Sequence, residues 1–435
     1  MKITVVGLGK IGLPLAVQFA NKQSKVYGAD INQKTVELVN QGLEPFPEEL
    51  DLQFNLTQVV AEGNLEASTD TAKCVSKSDV VIVVVPLFVD AKAEPDFRAM
   101  DSATQDIAKG LHKGMLVCYE TTLPVGTTRN RFSKALEDGS GMKVGIDFHV
   151  AFSPERVLTG RVFSDLRKYP KIVGGITDEC AKVAADFYSN HLDFDMRSDL
   201  SKDNGVWILD SAESAEFVKL AETTYRDVNI GLANQFAKFA DKLDLNIYDV
   251  IEASNSQPFS NIHQPGVAVG GHCIPIYPQF YLWGDPDATI VSAARRNNSE
   301  MPAYFVSKII DSVGSISGKK ILVLGASYRA NVKELAFSGV FQLVNLLTMH
   351  GAHVEVQDPL FSNLELNEAG LPGRTSNLNE FESVVIQTTS VDFVDLLKER
   401  GSFRNLKWIF DGRNLLNGLS PIGGVTVYGI GQPTK

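Results

Sequence analysis

The sequence predicts an α/β protein made of two doubly wound, Rossmann-like parallel-sheet domains joined by a central helical domain with one long helix. Three observations lead there. A strand, a glycine turn and a helix open the chain; a helix-periodic stretch runs from about Ser211 to Leu243; and the alternation of apolar strands with helices restarts after Gly318. At 435 residues the chain exceeds what one compact core holds, and the three parts are expected over 1–205, 206–305 and 306–435.

In the first part, Ile3 to Val6 reads as a strand, Gly12 to Asn21 as a helix and Lys25 to Ala29 as a second strand closing on Asp30. Val80 to Val85, ending at Pro86, and Met115 to Tyr119 are unbroken apolar runs, the pattern of parallel strands covered on both faces. The central stretch spaces Ala215, Val218, Leu220, Ala221, Ile230, Leu232, Ala233, Phe236 and Phe239 to bury a stripe. It is longer than an ordinary globular helix, as expected of one that connects domains or pairs across a dimer. Lys320 to Leu324, His353 to Gln357, Val384 to Gln387 and Trp408 to Phe410 are the strands of the last part.

A net charge of −11 argues against nonspecific binding to nucleic acid or anionic membranes. No apolar run approaches membrane-spanning length and the first residues read as a buried strand, so the expected location is the cytoplasm. Cys74, Cys118, Cys180 and Cys273 have neither metal-ligand nor CxxC spacing, which points to reduced thiols and no metal centre.

Gly7-Leu8-Gly9-Lys10-Ile11-Gly12 lies between a strand and a helix, the context in which GxGxxG holds a dinucleotide. The first glycine permits the turn, the second lets a pyrophosphate approach, and the third lets the helix pack on the strand. Asp30 stands where a carboxylate accepts from the adenosine ribose and repels a 2′-phosphate, so the expected cofactor is NAD. Lys34, one turn further, covers the adenine in this reading, and Pro86 belongs with the cofactor set. Gly325-Ala-Ser-Tyr328-Arg329 replaces the fingerprint in the last part, which should not hold a dinucleotide in the same way.

Near the middle, Gly266-Val-Ala-Val-Gly270-Gly271-His272-Cys273-Ile274-Pro275 places a thiol in a glycine-shaped turn. A thiol there can attack a carbonyl carbon, which an alcohol dehydrogenase stopping at the aldehyde does not need. Three further segments carry polar residues that composition does not explain: Thr121-Thr122-Leu-Pro124-Val-Gly126-Thr127-Thr128, Ser153-Pro154-Glu155-Arg156-Val157-Leu158, and Lys219 to Asp227. With the glycine fingerprint, and in this order, they resemble the UDP-glucose/GDP-mannose dehydrogenase family along nearly the whole chain. The Ser-Pro-Glu-Arg-Val-Leu form, Tyr225 to Ile230 and Asn261-Ile-His263-Gln-Pro265-Gly266 look most like its UDP-N-acetylhexosamine branch.

The resemblance implies a four-electron oxidation of C6 of a nucleotide sugar with two NAD⁺, giving a uronic acid for surface polysaccharide. It implies Cys273 as the nucleophile of a thiohemiacetal and then a thioester, and Lys219 as the ammonium stabilising alkoxide and oxyanion charge. Glu155 would take a proton from the hydrolytic water, a role suited to a carboxylate with a raised pKa, and Thr122 would hold water or the nicotinamide. The sugar-nucleotide set is Glu155, Arg156, Lys219, Thr223, Asn261, His263, Gly266, Arg295, Tyr328, Arg329 and Arg413, with Arg329 and Arg413 suited to clamp a diphosphate or a carboxylate. His272 is read as shaping the loop. A homodimer is the expected assembly, because the long helix offers more apolar face than one small domain buries.

The sequence departs from the family in three places. Thr223 stands where the family has asparagine, Tyr277 where it has aspartate, and Ala336 where it has an arginine in the last domain. A threonine hydroxyl and a phenol still donate hydrogen bonds. The rival readings are a UDP-glucose 6-dehydrogenase, a two-electron hydroxyacid-type dehydrogenase, which needs no thiol, and a nucleotide-sugar-binding homologue with impaired turnover.

Overall fold

The computed structural model describes residues 1–46, 49–90, 92–399, 403–419 and 422–434. The chain divides into two compact units, Met1–Glu222 with Gln279–Asp285, and Thr223–Pro278 with Pro286–Lys435.

The first unit is built on strands β1 (Lys2–Val6), β2 (Lys25–Ala29), β3 (Leu65–Ser68), β4 (Val80–Val83), a two-residue pair β5 (Phe88–Val89) and β6 (Pro95–Asp96), β7 (Leu116–Tyr119), β8 (His149–Phe152), β9 (Lys171–Gly175) and β10 (Val206–Leu209). Among the described residues they form an eight-stranded sheet of order β10-β9-β8-β7-β4-β1-β2-β3, with β5 and β6 as a separate ribbon. Order reverses at β1 and β4, both parallel to their neighbours, so the crevice beyond the strands' carboxyl ends is where this architecture places ligands. Ile3, Val5, Val26 and Ile82 are fully buried among Leu13, Val17 and Phe19 of the Gly12–Asn21 helix.

Two features differ from the sequence reading. The Val80 run leaves the ladder after Val83, two residues early, as the chain turns toward Pro86, which has no N–H to donate. The sheet also continues past β7 through β8, β9 and β10, with β9 antiparallel to β8. These strands are no shorter than β4, and what makes them strands is pairing with a neighbour that the local sequence does not encode.

The second unit holds a five-stranded parallel sheet, β11 (Lys320–Leu324), β12 (His353–Gln357), β13 (Ser383–Ile386), β14 (Trp408–Asp411) and β15 (Thr426–Gly429), of order β12-β11-β13-β14-β15. Its β11, β12 and β13 repeat the register logic of β1, β2 and β4. One core joins Ile321, Val323 and Val385 to Ala237 and Ala240 of the long helix and to Phe305 and Ile309. That long helix, Ala212–Leu243, starts in the first unit and ends in the second.

Candidate active site

In the first unit the fingerprint folds as a strand-to-helix turn. Gly7 has φ of +93°, and a Cβ at Gly12 would stand 1.8 Å from the Gly7 carbonyl oxygen, so packing alone requires both glycines. A Cβ at Gly9 would meet nothing within 4 Å. Its glycine is therefore required by no neighbour in the protein and keeps the backbone open to a group arriving from outside, which fits a pyrophosphate. Asp30 accepts from Leu8 N–H at 2.7 Å and from Asn32 N–H at 2.8 Å. It braces the turn as well as standing where the ribose is expected, and its remaining lone pairs can still accept from hydroxyls. Lys34 is exposed in the first turn of the Gln33–Asn40 helix and Pro86 is exposed after β4. These residues fit NAD.

The segment after β7 carries Thr122, whose side chain is buried, while the Thr121 hydroxyl donates to the Val85 carbonyl at 2.6 Å. Its continuation is tied to the long helix by Glu216, which accepts from Gly126 N–H at 2.5 Å, Thr128 N–H at 2.8 Å and the Thr128 hydroxyl at 2.6 Å. Burial pushes the Glu216 carboxyl up to about 7 despite these donors. Arg129 Nε donates to Glu213 at 2.6 Å one turn earlier. Lys219, one turn after Glu216, is buried at 9 % exposure. Glu213 and Glu216 escaped the sequence reading, although their helical spacing from Lys219 was a signal that they share its face.

Glu155 follows β8. Its carboxylate accepts from its own Arg156 N–H at 2.6 Å, from Val157 N–H at 3.0 Å and from Lys171 Nζ at 3.1 Å. The raised pKa expected from the sequence is corrected here. Burial does push the carboxyl up, but the Lys171 ammonium and the two N–H donors outweigh it and hold Glu155 below its ordinary value. The carboxyl that is raised is Glu120, enclosed by burial at the end of β7. Arg156 pairs with Glu222 and donates to the Pro170 carbonyl at 3.2 Å.

In the second unit the Cys273 loop is laid along the long helix by asparagines. Asn229 donates to the Asn261 carbonyl at 2.6 Å and accepts His263 N–H at 2.9 Å; Asn234 accepts Gly266 N–H at 2.9 Å and donates to Asn298 at 2.8 Å. Asn298 in turn donates to Asp227, whose carboxylate is paired with Arg295. The Arg295 fork is thus engaged within the fold, and Asp227 is fully buried. Burial lowers His263 below its ordinary value, with Arg226 adding to the effect.

The other side of the loop rests on the sheet domain. Arg413 donates to the Gln387 carbonyl at 2.8 Å and to the Ala268 carbonyl at 2.9 Å, and a Cβ at Gly266 would strike its guanidinium. Gly271, at φ +90°, donates to the Ala336 carbonyl at 3.0 Å, and a Cβ there would stand 2.7 Å from the Tyr328 ring. Tyr328 therefore packs on the turn that presents Cys273, and Arg329 beside it is half-buried. Cys273 is the one half-buried cysteine; the other three are buried. Its carbonyl accepts from Tyr277 N–H at 2.9 Å, starting the Tyr277–Gly284 helix. His272 Nε2 lies 3.6 Å from Glu334.

Family models match the chain in three stretches: the NAD binding domain of the UDP-glucose/GDP-mannose dehydrogenase family over residues 1–192, its central domain over 213–300 and its UDP binding domain over 322–418. The chain belongs to the UDP-glucose/GDP-mannose dehydrogenase family. It is an NAD-dependent nucleotide-sugar dehydrogenase. Among its relatives, the UDP-N-acetyl-D-mannosamine dehydrogenase of Pyrococcus horikoshii is 33 % identical over 99 % of both chains, and that of Campylobacter jejuni 33 % identical over 92 % of this chain and 98 % of its own. A solved UDP-D-ManNAc dehydrogenase structure from Pyrococcus horikoshii superposes with a TM-score of 0.87 at 31 % identity, covering 99 % of each chain.

Within the stretch matched by the UDP binding domain, the turn after β11 repeats the bracing of the NAD fingerprint. Asp358 accepts from Ala326 N–H at 2.8 Å and Ser327 N–H at 3.0 Å, as Asp30 does from Leu8. Ser327 stands at the place in this turn where the first unit has Gly9. Among the described residues no helix is long and apolar enough to cross a membrane, and no cluster of His, Cys, Asp or Glu is arranged to hold a metal ion.

Proposed function

We propose that this dehydrogenase oxidises C6 of a UDP-N-acetylhexosamine, UDP-N-acetylmannosamine ahead of UDP-N-acetylglucosamine, to the uronic acid. The observation that carries this reading is the half-buried Cys273 in a turn built by Gly271, Tyr328 and Ala336, in a chain whose relatives are named UDP-N-acetyl-D-mannosamine dehydrogenases. The overall change is RCH₂OH + 2 NAD⁺ + H₂O → RCOO⁻ + 2 NADH + 3 H⁺, with NAD accepting the hydride of each oxidation.

In this reading the Cys273 sulfur adds to the aldehyde carbon, giving a thiohemiacetal whose oxidation leaves a thioester. Lys219 stabilises the negative oxygen formed at C6. Glu155 takes a proton from the water that cleaves the C–S bond, releasing the acid and the thiolate. An already ionised Glu155 is in the correct state to accept that proton. Thr122 orients water or the nicotinamide, Asp30 and the glycine turn hold the adenosine half of NAD, and Thr223, Asn261, His263, Gly266, Tyr328, Arg329 and Arg413 serve the sugar nucleotide. Arg295 acts on it through the Asp227 and Asn298 lattice.

The reading assigns 1–205 to NAD, 206–305 to the cysteine loop and assembly, and 306–435 to UDP. The enzyme works in the cytoplasm, and its product is the uronic acid of a surface polysaccharide. It works as a homodimer: Leu232, Phe236, Phe239 and Leu243 leave a 37–59 % exposed apolar stripe along one face of the long helix, which a two-fold axis matches to itself.

The test is stoichiometric. With excess NAD⁺ and limiting UDP-N-acetylmannosamine, two NADH form per sugar, and Cys273→Ala abolishes the second. One NADH per sugar in the parent enzyme refutes the thioester route, and turnover of UDP-glucose alone refutes the substrate.

A further inference from the structure

The first unit contains a buried charged cluster, and two of its members, Lys171 and Glu120, have no part in the reaction scheme. Lys171 Nζ lies 2.7 Å from Glu120 and 3.1 Å from Glu155, and the three side chains are 5 %, 0 % and 10 % exposed. Glu120 also accepts the Tyr188 hydroxyl at 2.5 Å, and the Lys171 ammonium sits over the Tyr188 ring at 4.9 Å. A buried ammonium between two buried carboxyl groups is an expensive way to hold three strands together, since apolar groups of equal volume often serve stability as well or better.

The cluster's position in the sheet suggests what it does. Glu120 stands between β7 and the Thr121-Thr122 segment, Glu155 follows β8, and Lys171 opens β9, so the ammonium meets both carboxylates where three adjacent strands end or begin. One Glu155 oxygen is fixed by the Arg156 and Val157 N–H groups and the other by Lys171. A carboxylate has about four lone-pair sites, so Glu155 keeps capacity for a further proton in a set direction.

Resting on the reading that Glu155 takes the proton of the hydrolytic water, we propose that Lys171 and Glu120 are positioning residues that tune it. Lys171 keeps Glu155 ionised and aimed. Glu120, itself held by the Tyr188 hydroxyl, accepts from the same ammonium and fixes it in place beside Glu155. The other titratable groups facing the cluster, Cys118 and Tyr188, are both held protonated by burial. Glu120 itself is raised by burial and by Glu155, while Lys171 lowers it, as expected of two acids sharing one cation.

Where Glu155 titrates, Lys171 is a cation and Glu120 is already protonated, which makes the proposal testable. The full-length enzyme is assayed with UDP-N-acetylmannosamine and NAD⁺ across pH. In Lys171→Met the acid limb of kcat moves up by about 1–3 pH units, because Glu155 loses the cation that ionises it. In Glu120→Gln the limb stays near the parent's, because Glu120 is already protonated where Glu155 titrates, and KM changes little. Lys171→Arg restores the parent limb. If Lys171→Met does not fold, Lys171→Met combined with Glu120→Gln, which leaves no second buried acid, is assayed in its place with the same movement expected. A uniform loss of kcat with no limb movement on loss of Lys171, or a limb moved as far by Glu120→Gln as by Lys171→Met, overturns the proposal. The Glu155 carboxyl is also titrated by infrared difference against Glu155→Gln. If its titration moves as stated while the kcat limb does not, the tuning stands and Glu155 is not the water's base.

Discussion

Glu216 on the long helix accepts the backbone N–H of Thr128 at 2.8 Å and the Thr128 hydroxyl at 2.6 Å. A buried carboxylate thus clamps the segment that follows Thr122 to the helix that carries Lys219, and it does so without a cation among its hydrogen-bond partners. Its carboxyl titrates near 7 in the folded protein, against an ordinary value of 4.5, because burial disfavours the charge.

Stability should follow that titration. Between about 4.5 and about 7 the folded chain holds this proton and the unfolded chain has lost it, so stability falls as pH rises through the window and levels off above it. The contribution is about 3 kcal/mol at most. Thermal midpoints at about pH 5 and about pH 8 should therefore differ more in the parent than in Glu216→Gln. Equal differences in the two proteins would show that Glu216 is ionised alike in both states.

Gly9 and Gly12 should separate binding from folding. Gly9→Ala, with open space around its Cβ, is expected to melt like the parent and to bind NAD about tenfold or more weakly. Gly12→Ala drives a methyl into the Gly7 carbonyl and should lower the melting temperature as well. Calorimetric titration with NAD beside thermal melts checks both.

Removing Arg295 strands the fully buried Asp227. Arg295→Leu should cost about 3–5 kcal/mol of stability, whereas Asp227→Asn, which leaves no buried anion, should cost less. Chemical denaturation of the three proteins checks the order. If instead Arg295→Leu is stable and only KM for the UDP-sugar rises, the arginine serves substrate directly.

The apolar stripe should hold two copies together. Phe239→Asp places a charge in its middle, and light scattering should then report a monomer where the parent is a dimer. An unchanged mass would place the interface elsewhere.

Much of this enzyme was legible in the residues. The Gly7 fingerprint followed directly from a strand and led into a helix, the 212–243 helix matched its periodicity to within a residue, and β11 and β12 began and ended where the apolar runs did. Such features depend on neighbours in the chain, so the sequence carries them. The strands β3, β8, β9, β10 and β15 were not read although β4 is no longer, because whether so short a run becomes a strand depends on a partner that supplies the ladder.

By itself the sequence determined the fold class, the dinucleotide turn and which polar residues to examine. Only the tertiary structure decided their chemical state. Glu155 looked like an acid to be raised by burial, and Lys171, sixteen positions away, makes it the ionised member of the cluster while Glu120 takes the raised pKa. Arg295 was placed among the sugar-nucleotide residues, and its guanidinium is paired with the buried Asp227. The physical reason is common to both: a charge's protonation and direction depend on burial and on partners brought together across the sheet or between helices, and no local pattern encodes either.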